Sequence, residues 1–225
     1  MSSCSATLWK ALQQVLSRDN MLKKLFDMDN PVMQALSTAA DLLVLNMLTL
    51  LCCLPVVTAG AAWTALHDVV HKIVLHEETY PSRMYFQSFR ANLKKGIPLG
   101  LIFLAAALVI VMNYFAASVV LPPFRFLSAA VGLLLLAVGN YAFALTARFE
   151  NTLGETLKNA ARLAVGFFPR TLGMVVFEMA VYIGCIHFYT FGIPVLFLFG
   201  FSVPCYVCAL LYGSVFKQLE ENDRT

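Results

Sequence analysis

Residues 97–120 read IPLGLIFLAAALVIVMNYFAASVV, 24 residues without one charged side chain. As an α-helix this run is about 36 Å long, enough to cross the roughly 30 Å hydrocarbon core of a bilayer. Lys94 and Lys95 stand just before it, and Pro122 and Pro123 follow it closely. Downstream, Phe126–Ala147 is also free of charge, and Thr171–Phe216 carries only Glu178. This last stretch is twice the length a crossing needs, and Gly192 and Pro194 near its middle predict a break into two helices. Upstream, Pro31–Leu54 has Asp41 as its only charge, and Pro55 ends it.

Composition agrees with this reading. Hydrophobic residues make up 60% of the 225, charged residues 13%, and mean hydropathy is +0.74. A soluble domain carries about 25% charged residues, and a water-soluble fold of this size could not bury so much apolar surface. The expected fold is all-α, a polytopic transmembrane bundle of about six spans with basic amphipathic cytoplasmic helices. Residues 1–30 form a cytoplasmic amphipathic segment, residues 31–217 a single transmembrane domain, and residues 218–225 a tail. The spans are placed at 32–54, 57–75, 97–120, 126–147, 171–190 and 193–216. The first thirty residues lack an apolar core followed by a small-residue cleavage site, so no secretory leader is expected. Leu8, Leu12, Val15 and Leu16 recur there at helical spacing, as in a helix lying on a membrane surface.

The second span is decided by charge. Val57–Leu75 is just long enough to cross but carries His67, Asp68, His71 and Lys72 toward its end. If it crosses, only Arg125 of the 16 Lys and Arg falls outside, with Lys72 inside a helix and all others cytoplasmic. If it does not, the N-terminal basic cluster and the later basic loops lie on opposite sides, against the positive-inside tendency. Six spans, both termini cytoplasmic and a plasma-membrane location follow.

Two basic stretches precede outward-going spans, one from Tyr85 to Gly96 and one from Glu155 to Arg170. Each reads as a short amphipathic helix, which suggests a weak internal repeat. An inner loop of any membrane protein tends to look this way, but the stretches also suit docking of a cytoplasmic partner. The docking candidates are Arg90, Lys94, Lys95, Lys158, Arg162 and Arg170.

Ionisable groups within spans are functional candidates because a charge at the bilayer centre costs about 2.5–3.5 kcal/mol. Glu178 lies near the middle of its span, where it can hold a proton or cation or hydrogen-bond to Asn113, Asn140 or Tyr182. Asp41 is nearer the inner interface, where capping or pairing with a basic loop suffices. Gly60, Thr64, His67 and His71 share one helical stripe. His67 and His71 at i, i+4 could chelate a metal with His76, Glu77 and Glu78 nearby, line a polar cavity, or pack between helices; Asp68 is placed to pair with Lys72. The polar or transport candidates are therefore Glu178, His67, His71, Asp68 and Asp41. Cys205 and Cys208 form a Cys-x-x-Cys pair, but no thioredoxin-like strand and helix surrounds it, and Pro204 predicts a kink. No phosphate-binding loop, nucleophile elbow or paired-carboxylate site is visible. No enzyme activity or cofactor is expected, and a net charge of +3 does not argue for nucleic acid.

The stretch from Leu25 to Pro31, then Asp41 to Ala61 with its Leu-Cys-Cys-Leu-Pro-Val-Val-Thr-x-Gly core at 51–60, resembles the opening of the YesL-like family of bacterial membrane proteins. The Phe86-x-x-Phe89-Arg90-x-Asn92-Leu93-Lys94-Lys95 and Leu157-Lys158-Asn159-Ala160 segments resemble that family's loops. The family is one of unknown function, with members often encoded beside ABC systems that import plant oligosaccharides. The resemblance therefore implies an accessory subunit that contacts the permease or ATPase of such an importer, with the bilayer as its other partner and self-association open. The alternative is a small-solute or ion transporter using Glu178 and the His67/His71 stripe.

Overall fold

The structure is a computed structural model and describes residues 31–75, 80–120 and 124–222, without side chains at 31, 32, 117–120, 189, 191 and 214–222. The surface helix expected near Leu8–Leu16 and the trio His76, Glu77 and Glu78 lie outside the described residues. The described chain is helical throughout, without strands. The described residues fall into two compact units, divided between Asp41 and Leu42.

Helix α1 covers Pro31–Cys53. It stops where Pro55 cannot donate a backbone hydrogen bond, and a 3-10 turn at Val56–Thr58 follows. The Thr58 hydroxyl lies 2.7 Å from the Cys52 carbonyl oxygen and 2.8 Å from that of Pro55. It thereby satisfies carbonyls that a helix end leaves unpaired, which gives the Leu-Cys-Cys-Leu-Pro-Val-Val-Thr signature a structural job. Helix α2, Ala59–Val74, is 16 residues long and buried along most of its length.

Helix α3, Pro81–Val120, runs unbroken for 40 residues, about 60 Å. The basic amphipathic stretch before the third span is thus continuous with that span and not a separate surface helix. The only breaker is Pro98, whose missing N–H faces the Lys94 carbonyl at the edge of the apolar run. Helices α2 and α3 cross in backbone contact. A Cβ on Gly60 would come within 2.5 Å of the Gly100 Cα, and one on Gly96 within 2.7 Å of the Ala61 Cα. Gly96 and Gly100 form a G-x-x-x-G face, the arrangement that lets membrane helices approach most closely. Tyr85 ties the same pair further along, its hydroxyl donating to the Ala62 carbonyl at 3.2 Å.

Helix α4, Phe124–Arg148, packs against α3. At its start Arg125 donates to the Tyr114 hydroxyl at 3.1 Å and sits 5.0 Å from that ring's centroid. Helix α5, Leu153–Gly166, is the separate amphipathic helix expected before the fifth span. Thr152 and Glu155 form a capping box at its start, and these hydrogen bonds hold the Glu155 carboxyl below the usual glutamate range. Thr156, Ala160 and Ala164 turn inward, while Lys158, Arg162 and Val165 are exposed. At its far end the Thr171 hydroxyl donates to the Ala164 and Phe167 carbonyls, 3.0 and 3.1 Å away.

Helix α6 covers Phe168–His187, α7 Tyr189–Phe199 and α8 Ser202–Asn222. The breaks fall at Phe188 and at Gly200–Phe201, and Pro194 lies inside α7. Gly192 still matters, because a Cβ there would collide with the Cys185 backbone. The bend between α7 and α8 is 58°. Pro204 sits in the first turn of α8, where it has no N–H to offer the Gly200 carbonyl; the Tyr182 hydroxyl donates to that carbonyl instead, at 3.3 Å. The proline therefore marks the bend's far side and kinks no helix interior.

Among the described residues, four helices are long and apolar enough to cross a membrane: Met33–Cys53, Pro81–Ala116, Phe124–Arg148 and Phe168–His187. The bent pair Gly192–Phe199 and Ser202–Gly213 makes a fifth if taken as one span. Outward-facing Leu101, Ile102, Leu108, Val109, Met112 and Phe115 give α3 the apolar surface a bilayer requires. At 16 residues, α2 falls short of that length test.

Candidate functional site

Glu178 is 5% exposed on α6. Its Oε1 accepts from the Asn140 side-chain amide at 3.0 Å and from the Cys208 thiol at 3.5 Å. Three helices, α4, α6 and α8, therefore meet at one carboxyl group. Its Oε2 is buried without a hydrogen-bond partner among the described residues. Of the three partners the sequence offered, only Asn140 is used. The Asn113 side chain donates to its own helix at Val109 O, and the Tyr182 hydroxyl is turned to Gly200. Glu178, Asn140 and Tyr182 line a cavity of about 200 Å³ whose other walls are mainly apolar, including Trp63, Phe103, Ala107 and Phe143.

The histidine stripe does not join this cavity. His67 stacks on Phe143, centroids 6.5 Å apart at 13°, and its Nδ1 lies 3.1 Å from the Tyr212 hydroxyl. His71 stacks on Tyr212 at 5.7 Å and 17°, and the Arg148 guanidinium bonds its Nε2. Both rings are buried between α2, α4 and α8. A guanidinium beside His71 opposes a divalent cation there, and among the described residues no group of three His, Cys, Asp or Glu could hold a metal.

Asp68 and Lys72 face a second cavity, of about 580 Å³, between α2, α3 and α4. They are paired to each other at 2.9 Å. Lys95, Arg148 and Glu150 also line this cavity with Ser88 and Asn92; Lys95 is half-buried there, while Arg148 and Glu150 are exposed. Arg90 and Lys94 are exposed one turn apart on α3, and Lys158 and Arg162 one turn apart on α5. Arg170 is half-buried, its guanidinium 5.6 Å from the Phe167 ring centroid. Asp41 lies half-buried on α1. The described cysteines are free thiols, with Cys205 and Cys208 buried.

One well-connected polar side chain is one that composition and spacing did not single out. Asn46, fully buried on α1, donates to the Phe197 carbonyl at 2.8 Å. Its Oδ1 accepts from the backbone N–H of Phe201 and Ser202 at 2.9 and 3.2 Å. It thus closes the last turn of α7 and caps the first turn of α8 across their bend. A side-chain amide within the largely apolar run 42–54 was the available signal.

The stretch that builds α1 beyond Asp41, the Pro-Val-Val-Thr turn, α2 and the apolar part of α3 is also the stretch that finds a counterpart. Residues 42–114 match the family described as "Protein of unknown function, DUF624". The YesL-like family is known by that designation. Within DUF624's matched segment lie Asn46, Gly60, Gly96 and Gly100, and hence the α2–α3 crossing and one half of the α7–α8 clamp. Glu178, Asn140 and helix α5 lie beyond it. No curated protein and no solved structure matches the chain.

Proposed function

We propose that the chain is a non-enzymatic, multi-pass protein of the bacterial plasma membrane that serves as an accessory subunit of an oligosaccharide ABC uptake system. Its docking surface is the pair of exposed basic rows, Arg90 with Lys94 on α3 and Lys158 with Arg162 on α5. The observation that carries this reading is that none of the four has a carboxylate within 4 Å among the described residues, so each row offers its charge to an acidic permease or ATPase surface. The oligosaccharide assignment comes from the genomic setting of the YesL-like family. Six crossings with both termini cytoplasmic fit this arrangement. Helix α2 supplies about 24 Å, and the 3-10 turn before it about 6 Å more, together near the roughly 30 Å of hydrocarbon. The surrounding helices shield its polar groups from lipid.

Charge reversal tests the docking surface. The quadruple change Arg90→Glu, Lys94→Glu, Lys158→Glu and Arg162→Glu should leave the protein folded in the membrane yet reduce co-isolation of importer subunits at least tenfold. Rim charges act mainly on association rate and salt dependence, so the remaining complex should also dissociate at lower salt. Undiminished co-isolation, or a wild-type protein that brings no importer subunit, would sink the docking role.

A second reading, a small-solute or ion transporter working at Glu178, is favoured by the cavity that this carboxyl lines. It predicts that Glu178→Gln stops flux in reconstituted vesicles without loss of the folded protein.

A further inference from the structure

We propose that the cavity at Glu178 is a binding site for a small organic ammonium ion, a free primary amine of about one ring with a short side chain. This names a ligand class for the carboxyl invoked by the transport reading and does not depend on the docking surface. Three features converge. The first is the buried carboxyl, whose Oε1 is occupied by Asn140 and Cys208 while Oε2 has no donor among the described residues. A carboxylate at membrane depth needs a donor and a counter-charge, and an ammonium group brings both.

The second feature is the wall. Trp63, Phe103, Phe143 and Tyr182 all line the cavity. Phe143 packs 5.4 Å from Phe103 and 6.5 Å from Trp63, centroid to centroid. Aromatic faces around a carboxylate are the chemistry that recognises organic cations, worth about 0.5–2 kcal/mol per ring contact. Inorganic cations would need several oxygen ligands, and this wall provides few. The third is size. An engineered apolar cavity of about 150 Å³ admits benzene, so about 200 Å³ holds one ring and a short amine arm. Phe103 and Ala107 fall well inside the uncharged run 97–120, away from the depth of lipid headgroups, which points to a free molecule.

The full-length protein, purified in a maltoside detergent and carrying Trp9→Phe so that Trp63 is the reporting indole, should show a saturable fluorescence change with phenethylammonium. Toluene, which lacks the donor and the charge, should fail to compete. Glu178→Gln should weaken binding at least tenfold, and Ala107→Phe, which fills the cavity and leaves the carboxyl in place, should abolish it. No saturable change in the parent protein, equal binding by Glu178→Gln, or effective competition by toluene would overturn the site. Should Glu178→Gln fail to fold, unchanged binding in Ala107→Phe would overturn it and lost binding would uphold it. Flux is not read in this assay, so failure of the transport reading would appear separately, as absent flux in vesicles made with a protein that still binds.

Discussion

Replacing Gly100 with leucine is expected to destabilise the protein by about 3 kcal/mol, at the upper end of the range for overpacking. A Cβ on Gly100 already meets the Gly60 backbone, with the amide nitrogen 2.8 Å away. The obstacle is main chain and cannot rotate aside as a side chain would. Helices α2 and α3 would have to separate, and α2 carries Ala61, Ala62, Ala65, Leu66, Val69 and Val70 into the core. Gly132 on α4 is the control, since a Cβ there meets only the Ile110 side chain at 3.6 Å. Gly132→Ala should be neutral or stabilise by about 0.5–1 kcal/mol, the usual gain when glycine leaves a helix interior. Thermal unfolding of the two variants in the same detergent gives the comparison. Equal midpoints would mean that the helices do not cross at these glycines.

Asn46→Leu should cost about 2–3 kcal/mol. Hydrogen bonds between membrane helices average about 0.6 kcal/mol and reach about 1.7, so one such bond would not suffice. Asn46 makes three, two of them to backbone N–H groups at the start of α8. With the side chain gone, those groups are left buried, at about 1–3 kcal/mol for an unsatisfied group. The loss should be local first: amide exchange at Phe201 and Ser202 should accelerate before global unfolding. Thr38→Val, which removes a bond back to Gln34 within α1, should change little. If Asn46→Leu and Thr38→Val unfold alike, Asn46 does not clamp the bend.

Much of the architecture was legible because a bilayer imposes a simple rule. The uncharged runs 97–120 and 126–147 became helices, as did the run around Glu178, and the separate helix before Arg170 follows from its Thr152–Glu155 cap. What the rule could not give was set by backbone geometry. Nothing between Tyr85 and Ile97 breaks a helix, so the basic segment and the span are one rod. Gly192 and Pro194 looked like the break, but the helices part at Phe188 and again at Gly200–Phe201, where Pro204 withholds an N–H. The G-x-x-x-G at 96–100 was readable in principle, although its partner Gly60 was not, because contact requires knowing which face of α2 turns inward. Glu178 stood out as a charge in an apolar run. Its choice of Asn140 over Asn113 and Tyr182 depended on helix rotation, and the separation of the histidines from that carboxyl depended on the rings of Trp63 and Phe143 standing between.

The basic surfaces and the N-terminal segment share one side of the membrane only if α2 crosses it. Single cysteines at positions 10, 90, 125 and 158 of a cysteine-free variant, probed with a membrane-impermeant maleimide on intact cells and on inverted vesicles, measure this directly. Labelling of positions 10, 90 and 158 from the cytoplasmic side and of 125 from outside is the predicted pattern. Position 10 labelled from outside, with 90 and 158 still cytoplasmic, would show that α2 turns back within the membrane and would contradict the six-span topology.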